Sequence, residues 1–398
     1  MKIELLSPAG NMTRLKIAFY FGADAVYLAG RRFGLRAGAA NFSRSGLKSA
    51  FAYAKKMGKK VYVTLNIVAH NRDFVGLSEY VKFLDQNGAD GVIVSDLGVA
   101  SVVRQVAPNL PLHVSTQANV TNVHAAKVWA ELGAKRIVLA RELSLQEIRQ
   151  IRKALPKEVE LEAFVHGAMC IAHSGRCLLS NVFVGRDANA GACVQACRFA
   201  YDLVRTNKPE EAYPIEEDVR GTYILNSKDM CMIEHIKKLV SAGVESFKIE
   251  GRMKSDYYVA NVTNAYRRAI DSLGKTTNID FVAETKKSSH REYTTGFYMG
   301  DTQKTNLKSS GTVQTYDVVA EVASCKGGFV TVLQRNKFSV GDELEILSPD
   351  SNFQKTFVVT KILDQNGNEI ESAKVAQQKI KIACPFKLHA KDMLRKQK

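Results

Sequence analysis

The sequence predicts an α/β fold, a (β/α)8 TIM-like barrel, followed by a small all-β barrel. Three observations support this prediction. Short apolar segments alternate with amphipathic helical patterns from the N-terminus to Glu250. A glycine recurs where several of these helices meet the next strand. From Gly311 onward, short alternating segments separated by turn residues replace the helices.

The barrel strands are predicted from eight short, mostly apolar segments, the number that a closed (β/α)8 barrel requires. These segments are Ile3–Ser7, Ala25–Ala29, Lys60–Asn66, Gly91–Ser95, Leu112–Ser115, Arg136–Ala140, Glu160–Val165 and Ser246–Glu250. Helical patterns lie between them, for example at Asn11–Phe21, Ser45–Met57, Phe74–Gln86, Ala125–Leu132 and Ser144–Ala154. A doubly wound sheet is the alternative, but no G-x-G-x-x-G sequence follows the first strand.

The repeated glycine marks the return of the chain from a helix to the sheet. Gly22, Gly88, Gly133 and Gly243 each stand between a helical pattern and a predicted strand. Glycine is common there because it adopts the left-handed conformation that ends a helix. We therefore interpret the repeat as structural, since it counts βα units.

The domain organisation follows from where these patterns change. We expect the barrel domain to span residues 1–271, with a cysteine-containing insertion at 166–231. A polar stretch at 272–310 is predicted to connect it to a basic β-barrel at 311–398. The strands expected in that β-barrel are Val318–Ser324, Phe329–Leu333, Glu343–Ile346, Lys355–Ile362 and Lys379–Ala383.

The charge composition favours a polyanionic partner. The chain carries 56 Lys and Arg against 40 Asp and Glu, a net charge of +16. Such a field attracts phosphate backbones, although a basic, solvated surface is the plainer interpretation. The stretch Ser372–Lys398 has eight basic residues and only Asp392 as an acid, which is typical of a basic tail that contacts nucleic acid. Because the N-terminus lacks the features of a signal peptide and no long apolar run appears, we expect a cytoplasmic protein without a membrane span.

The ends of the predicted strands are rich in polar residues. Ligands of (β/α)8 barrels gather at the C-terminal ends of the strands, so these residues predict a pocket for an oxygen-rich or anionic molecule. Arg141 and Arg252 are suited to hold carboxylates through paired N–H donors. The catalytic candidates are His166, Glu250, Arg252 and Arg141. The candidates for substrate binding are Asn66, Gln117, Glu142 and Lys248.

The cysteines indicate a metal centre. Five of the seven lie between Cys170 and Cys231, in the spacing C-x6-C, then C-x3-C, then a single Cys. This spacing matches neither zinc fingers nor ferredoxins, but four thiolates suit zinc or an iron–sulfur cluster. The alternatives are unligated buried thiols, or one catalytic cysteine paired with His166 or His173.

One segment carries a family resemblance. The run from Phe164 to Ser180, FVHGAMCIAHSGRCLLS, closely resembles the signature of the collagenase-like peptidase family U-32. The segments Leu6–Gly10, Lys248–Lys254 and Tyr293–Tyr298 resemble the same family. The C-terminal β-barrel is similar to the second domain of translation elongation factors.

The resemblance implies an oxygen-independent hydroxylase that carries a [4Fe–4S] cluster. It assigns the cluster ligands to Cys170, Cys177, Cys193 and Cys231. Cys197 is the alternative to Cys193, because a related branch uses a C-x3-C pair.

The β-barrel and the basic C-terminus resemble the branch that forms 5-hydroxyuridine at the tRNA wobble position. Prephenate, a small anion, is required for that modification. The partners implied are therefore tRNA and a molecule such as prephenate. A peptidase is one alternative, although no H-E-x-x-H or G-x-S-x-G motif appears. A non-catalytic RNA-binding metalloprotein is the other.

Overall fold

The fold is that of a computed structural model, and it divides into two compact units. The residues described are 3–36, 40–170, 172–198, 217–218, 221–222, 228–300 and 312–398. The first unit comprises Met1–Leu15, Ala23–Lys254 and Arg291–Thr312. The second comprises Lys16–Gly22, Ser255–His290 and Val313–Lys398. Part of the predicted insertion at 166–231 and residues 301–310 of the predicted connection lie outside the described residues.

The first unit is built on a closed barrel of eight parallel strands. These strands are β1 Glu4–Pro8, β2 Ala25–Leu28, β3 Lys60–Leu65, β4 Gly91–Val94, β5 Leu112–Val114, β6 Ala134–Val138, β7 Glu160–Ala168 and β11 Ser246–Ile249. They pair in chain order, and β11 closes the barrel by pairing with both β7 and β1. This arrangement confirms the predicted (β/α)8 class.

The seventh strand is longer than predicted because it belongs to two pairings. Beyond the barrel, Ala168 and Gly167 pair antiparallel with a short strand, β10 Asp229–Cys231. A further strand, β12 Tyr293–Thr294, pairs parallel with β10. Between β7 and β10 the structure also describes a small hairpin, β8 Glu217–Asp218 and β9 Gly221–Thr222.

The helices alternate with the strands as the sequence predicts. Their bounds are α1 Met12–Tyr20, α2 Arg44–Lys56, α3 Leu77–Gln86, α4 Leu97–Val106, α5 Val123–Glu131, α6 Leu145–Ala154, α7 Leu179–Val184, α8 Ile236–Ser241, α9 Asp256–Asp271 and α10 Phe281–Lys286. Local chemistry sets several of these ends. Ser144 and Glu147 form a capping box that starts α6. Gly22, Gly88, Gly133 and Gly243 all have φ between 85° and 103°, which confirms their predicted role at helix ends.

The interior of the barrel contains a buried ion network. The guanidinium of Arg136 donates to Glu4 at 2.6 Å, to Glu162 at 3.0 Å and to Glu160 at 2.5 Å. The ammonium of Lys248 lies 2.8 Å from the other oxygen of Glu162. Buried charges persist only when they are paired and hydrogen-bonded, as these are. The network extends from the first residues of the strands to Lys248, near their C-terminal ends.

The second unit contains α9, α10 and an antiparallel sheet. Its strands are β13 Tyr316–Lys326, β14 Phe329–Gln334, β15 Phe338–Ser339, β16 Glu343–Leu347, β17 Thr356–Val358, β18 Ile362–Leu363, β19 Ser372–Ala373, β20 Lys379–Ala383 and β21 Met393–Gln397. Seven of them form one sheet in the order β17-β16-β21-β13-β14-β20-β18, and β15 pairs with β19. The sheet is an antiparallel half-barrel over an apolar core, so the second predicted domain is all-β as expected.

The structure corrects the interpretation of the basic C-terminus. Its last residues form β21, which lies between β13 and β16 in the middle of the sheet. Arg395 is fully buried and pairs with Glu284 at 2.7 Å and with Glu345. Lys396 donates to Asp342 at 2.7 Å. Arg395 and Lys396 therefore pair within the second unit, and the last strand of the chain is part of the sheet instead of a free tail.

The unit boundary also differs from the expected barrel end at residue 271. Helix α9 groups with the second unit, because residues on its buried face form hydrogen bonds with residues of the half-barrel. Asn261, for example, accepts a hydrogen bond from Arg395 at 2.8 Å. Among the described helices, none has the length and apolar character needed to span a bilayer.

Candidate functional site

A polar pocket of about 90 Å³ lies at the C-terminal ends of the barrel strands. Six of the eight predicted pocket residues line it, namely Asn66, Gln117, Arg141, Lys248, Glu250 and Arg252. The structure also places Tyr27, Arg36, Thr64, Ser115 and Cys170 in its wall. The rule that (β/α)8 barrels carry ligands at this end of the strands therefore locates most of the pocket.

Amide side chains form one wall. The amide nitrogen of Asn66 donates to Gln117 at 2.8 Å and to Ser115 at 3.3 Å. The backbone N–H of Leu35 donates to the oxygen of Asn66 at 3.4 Å. These bonds fix both amides, so this wall is held in one arrangement before any ligand arrives.

Glu250 is the acidic centre of the pocket. The hydroxyl of Tyr27 donates to it at 3.1 Å, and Arg36 approaches it at 3.8 Å. Burial alone would raise the pKa of Glu250, but Arg36, Arg141 and Arg252 together hold it below the ordinary value. Burial, reinforced by Glu250, raises the pKa of Tyr27 well above its usual range. Glu250 is therefore ionised at neutral pH, and Tyr27 is a neutral donor.

Two arginines reach into the pocket with unused capacity. Burial lowers the pKa of Arg252 to about 10, and its guanidinium donates to Thr64 at 3.3 Å. Arg141 donates to the carbonyl of Ala168 at 2.9 Å and lies 4.0 Å from the centre of the Phe164 ring. The buried Nε of Arg141 has no hydrogen-bond partner among the described residues. Both guanidinium groups can therefore bind an anion through several donors.

The electrostatic balance of the pocket is positive. Lys248 adds a fourth cation to Arg36, Arg141 and Arg252, and its ammonium lies 4.6 Å from the centre of the Tyr27 ring. Glu250 is the carboxylate that lines the pocket with them. An anionic small molecule with carboxylate groups fits this excess of donors.

Two predicted site residues lie outside the pocket wall. Glu142 accepts hydrogen bonds from the backbone N–H of Ser174 at 2.6 Å and from its hydroxyl at 2.8 Å. It therefore positions the cysteine segment. His166 is buried in β7 and packs edge-on against Tyr293, with ring centres 5.4 Å apart. Neither residue is among those that line the pocket.

The sequence analysis missed Tyr27 and Arg36 as pocket residues. Tyr27 lies within β2. The alternation of side chains along a strand tells which residues share a face of the sheet, but it does not tell which of them reach a ligand. Arg36 follows β2 by eight residues, in a loop at the same end of the barrel. The strand-end rule would have found Arg36 if the search had extended farther into that loop.

A second cavity, of about 320 Å³, is lined by four cysteines. They are Cys170, Cys177, Cys193 and Cys197, and Cys170 also lines the polar pocket. Cys231, in β10, is the cross-strand partner of His166 and is not among the described residues that line this cavity. The structure therefore brings three of the four predicted ligands together with the alternative, Cys197.

Backbone N–H groups contact the sulfurs of two of these cysteines. The N–H of Leu179 donates to the sulfur of Cys177 at 3.4 Å, and the N–H of Gln195 donates to Cys193 at 3.4 Å. Burial would lower the pKa of Arg36, but Glu250, and after it Cys170 and Cys193, raise it above the ordinary value. Hydrogen bonds and a nearby cation both stabilise thiolates, which are the form that binds metal.

The cysteine segment is fastened to the barrel rim by polar contacts. The guanidinium of Arg176 donates to the carbonyl of Gln117 at 2.9 Å. The side chain of Asn189 accepts from the N–H of Cys177 at 3.1 Å, and its carbonyl accepts from Val68. These contacts, with the Glu142–Ser174 pair, explain why cysteines far apart in sequence line one cavity.

Comparisons with known proteins extend over both units. The model of peptidase family U32 matches residues 10–308, and the model of the family's C-terminal domain matches residues 314–395. The Bacillus subtilis tRNA hydroxylation protein P1 is 40% identical over 415 residues, which cover 100% of this chain and 95% of that protein. The Escherichia coli tRNA hydroxylation protein P is 37% identical over 400 residues, with 89% and 88% covered. An uncharacterized protease of Methanocaldococcus jannaschii is 43% identical over 309 residues, with 76% and 74% covered.

Proposed function

This chain belongs to peptidase family U32, and from that premise we propose that it is a tRNA-modifying enzyme that forms 5-hydroxyuridine at the wobble position. Two relatives named for tRNA hydroxylation match it over at least 88% of their own length, which supports this proposal. The structural observation that carries the proposal is that Cys170 lines both the cationic pocket and the four-cysteine cavity. The cationic pocket and the four-cysteine cavity therefore share a wall.

We propose that Cys170, Cys177, Cys193 and Cys231 bind a [4Fe–4S] cluster, with Cys197 as the alternative to Cys193. Three of these ligands and the alternative line the cysteine cavity together with Arg36, and backbone N–H groups donate to the sulfurs of Cys177 and Cys193, which supports a cluster. When bound, a cluster of this type supplies one-electron transfer. Because the cysteine cavity adjoins the polar pocket at Cys170, a cluster bound there would lie beside the molecule with which it exchanges electrons.

The pocket itself is proposed to bind a small carboxylate such as prephenate. Arg141 and Arg252 offer donors to separate carboxylate groups, and Lys248 provides a third positive charge. The ionised Glu250 keeps Arg36 and Arg252 from repelling each other in the absence of the anion. Tyr27 remains protonated and orients Glu250.

Hydroxylation converts a C5–H bond of uracil into C5–OH, which adds one oxygen atom and removes two electrons from the ring. Because the proposed reaction does not use O2, its balanced form takes the oxygen atom from water, releases two protons and passes the two electrons to an external electron acceptor. The uracil must leave its stack to reach a pocket at the barrel rim, as bases in loops can at modest cost. The anticodon loop presents the wobble base in such a form.

The decisive experiment is nucleoside analysis of tRNA from a strain that lacks this chain and any paralogue. We expect 5-hydroxyuridine and its derivatives to be absent, to return with the wild-type gene, and to stay absent when the cells cannot make prephenate. The matched control is Arg149→Gln, which removes an exposed charge from α6, a helix whose residues line neither the polar pocket nor the cysteine cavity. It should restore the nucleoside as well as wild type does.

The same strains separate the alternatives. Unchanged nucleosides in the deletion strain would refute the proposal. Casein cleavage by purified protein that persists in Cys170→Ala and Cys177→Ala variants would favour a peptidase. Binding of tRNA with no change in any nucleoside would favour a non-catalytic RNA-binding metalloprotein.

A further inference from the structure

A third cavity, of about 250 Å³, lies beside the loop that follows β2. Its wall includes Arg31, Arg32 and Phe33 from that loop, Ser43 and Arg44 at the start of α2, and Tyr80 from α3. None of these residues belongs to the polar pocket or to the cysteine cavity.

The three arginines of this cavity are not neutralised. All three are exposed, and none forms an ion pair with a carboxylate in the described part of the chain. Arg32 donates to the carbonyl of Val75 at 2.8 Å, which orients its guanidinium without neutralising it. By contrast, the buried Arg136 and Arg395 are fully paired. Three unpaired guanidinium groups around one cavity favour an anion.

Tyr80 provides an independent indication of a ligand. The side chain is only 6% exposed, and its hydroxyl has no hydrogen-bond partner among the described residues. The hydroxyl lies against Gly30, where an added Cβ would stand 2.0 Å from it. Burial raises the pKa of Tyr80 to about 12, against the opposing effect of Arg44. A buried neutral hydroxyl without a partner is a donor that an acceptor atom would satisfy.

The start of α2 and the aromatic rings define which anion fits. Helix α2 has 13 residues, and Ser43 caps it by accepting from the N–H of Gly46 at 3.1 Å, so the positive end of the helix dipole lies at the cavity. The guanidinium of Arg32 lies 4.6 Å from the centre of the Phe33 ring, and that of Arg44 lies 5.3 Å from the centre of the Phe83 ring. Guanidinium groups supported on aromatic rings suit phosphate contact with base stacking nearby.

We propose that this arginine cavity, defined by Arg31, Arg32, Arg44 and Tyr80, binds a phosphodiester of the RNA substrate near the nucleotide that is modified. The inference rests on the proposed function for the identity of the polyanion. Continuity of the chain supports the placement: Leu35 and Arg36, a few residues beyond Phe33, line both the polar pocket and the cysteine cavity. One loop thus links the arginine cavity to the site proposed for the reaction.

The test measures binding of unmodified tRNA, purified from the deletion strain, to the full-length protein at several salt concentrations. The double variant Arg31→Gln/Arg44→Gln should raise the Kd about 10-fold. It should also reduce the slope of log Kd against log salt concentration by about 1–2, because fewer counterions are released when fewer phosphates are contacted. The matched control, Lys55→Gln/Lys56→Gln, removes two exposed charges from the other end of the same helix and should leave both values near wild type.

Tyr80→Phe provides a second, milder variant. Because the hydroxyl makes no hydrogen bond within the described residues, its removal should not lower the unfolding temperature. If the hydroxyl donates to a phosphate, the Kd should rise about 2- to 10-fold. A hydroxyl with no ligand would leave the Kd unchanged.

The outcomes separate this inference from the proposed function. Equal Kd values for wild type and the arginine variant, or equal weakening by the arginine and lysine variants, would overturn the arginine cavity even if wild-type protein hydroxylates tRNA. Selective weakening by the arginine variant would support the cavity even if no hydroxylated nucleoside were found, in which case only the proposed reaction would fail.

Discussion

The ammonium of Lys248 lies 2.8 Å from one oxygen of Glu162, and Arg136 donates to the other oxygen at 3.0 Å. Glu162 is fully buried, and its carboxylate bridges two cations inside the barrel, while Glu4 and Glu160 also pair with Arg136. Lys248 also lines the polar pocket. The buried ion network that joins the strands therefore extends to the wall of the polar pocket through Lys248.

Removing the charge of Glu162 should destabilise the first unit. Glu162→Gln leaves Arg136 and Lys248 without a shared counterion, so we expect the free energy of unfolding to fall by about 3–5 kcal/mol. Urea denaturation followed by circular dichroism measures this change. Glu160→Gln is the control, because Glu160 contacts the same arginine but is 45% exposed, and its loss should cost less than about 1 kcal/mol. Equal effects of the two variants would contradict the role assigned to the buried carboxylate.

Arg252→Gln should separate activity from stability. Burial lowers the pKa of Arg252 to about 10, so the fold holds the charged side chain less favourably than water does. Replacement by a neutral side chain should therefore change the free energy of unfolding by less than about 1 kcal/mol. Loss of charged donors to a bound carboxylate should reduce tRNA hydroxylation by about 10- to 100-fold. Full activity of this variant would remove Arg252 from the anion site.

Single cysteine variants should identify the ligands of the proposed cluster. After anaerobic reconstitution, Cys170→Ala, Cys177→Ala and Cys193→Ala should each lose bound iron and visible absorption, because each removes a thiolate ligand. Cys231→Ala should behave in the same way, whereas Cys197→Ala should retain iron.

Cys325→Ala, in the second unit, is the control and should retain full iron content. Retention of iron by Cys193→Ala together with its loss in Cys197→Ala would assign this ligand to Cys197 instead of Cys193. Both cysteines line the cavity, so either sulfur is placed to contribute.

The acid stability of the second unit should depend on Glu284. Burial alone would raise its pKa, but Arg395 and Lys287 hold the pKa below the ordinary value. A carboxyl with a lowered pKa stabilises the folded state above its unfolded pKa, and that stability is lost as the pH falls through the lowered folded value.

Glu284→Gln should therefore flatten the acid limb of the second unit's stability, with the difference from wild type shrinking as the pH falls below about 4. Urea midpoints measured between neutral pH and acid, with Glu343→Gln as an exposed control in the same sheet, would check this. A constant difference at all pH values would show that Glu284 acts through packing instead of charge.

The sequence by itself determined the class of fold and most of the polar pocket. Period-two segments, helical patterns and helix-ending glycines are local signals, because they report on the backbone of a few residues. The rule for strand ends then identified Arg141, Glu250 and Arg252 without any coordinates. The clustering of cysteines was likewise visible as spacing.

Only the tertiary structure decided which charges face a ligand and which hold the protein together. Arg395 and Arg31 are both arginines in basic stretches, yet one is sealed between Glu284 and Glu345 and the other is exposed at a cavity. Likewise, Cys197 is among the described residues that line the cysteine cavity, whereas Cys231 is not. The pairing and burial of a side chain depend on which distant segments of the chain come into contact. A local pattern of residue types carries no information on those contacts.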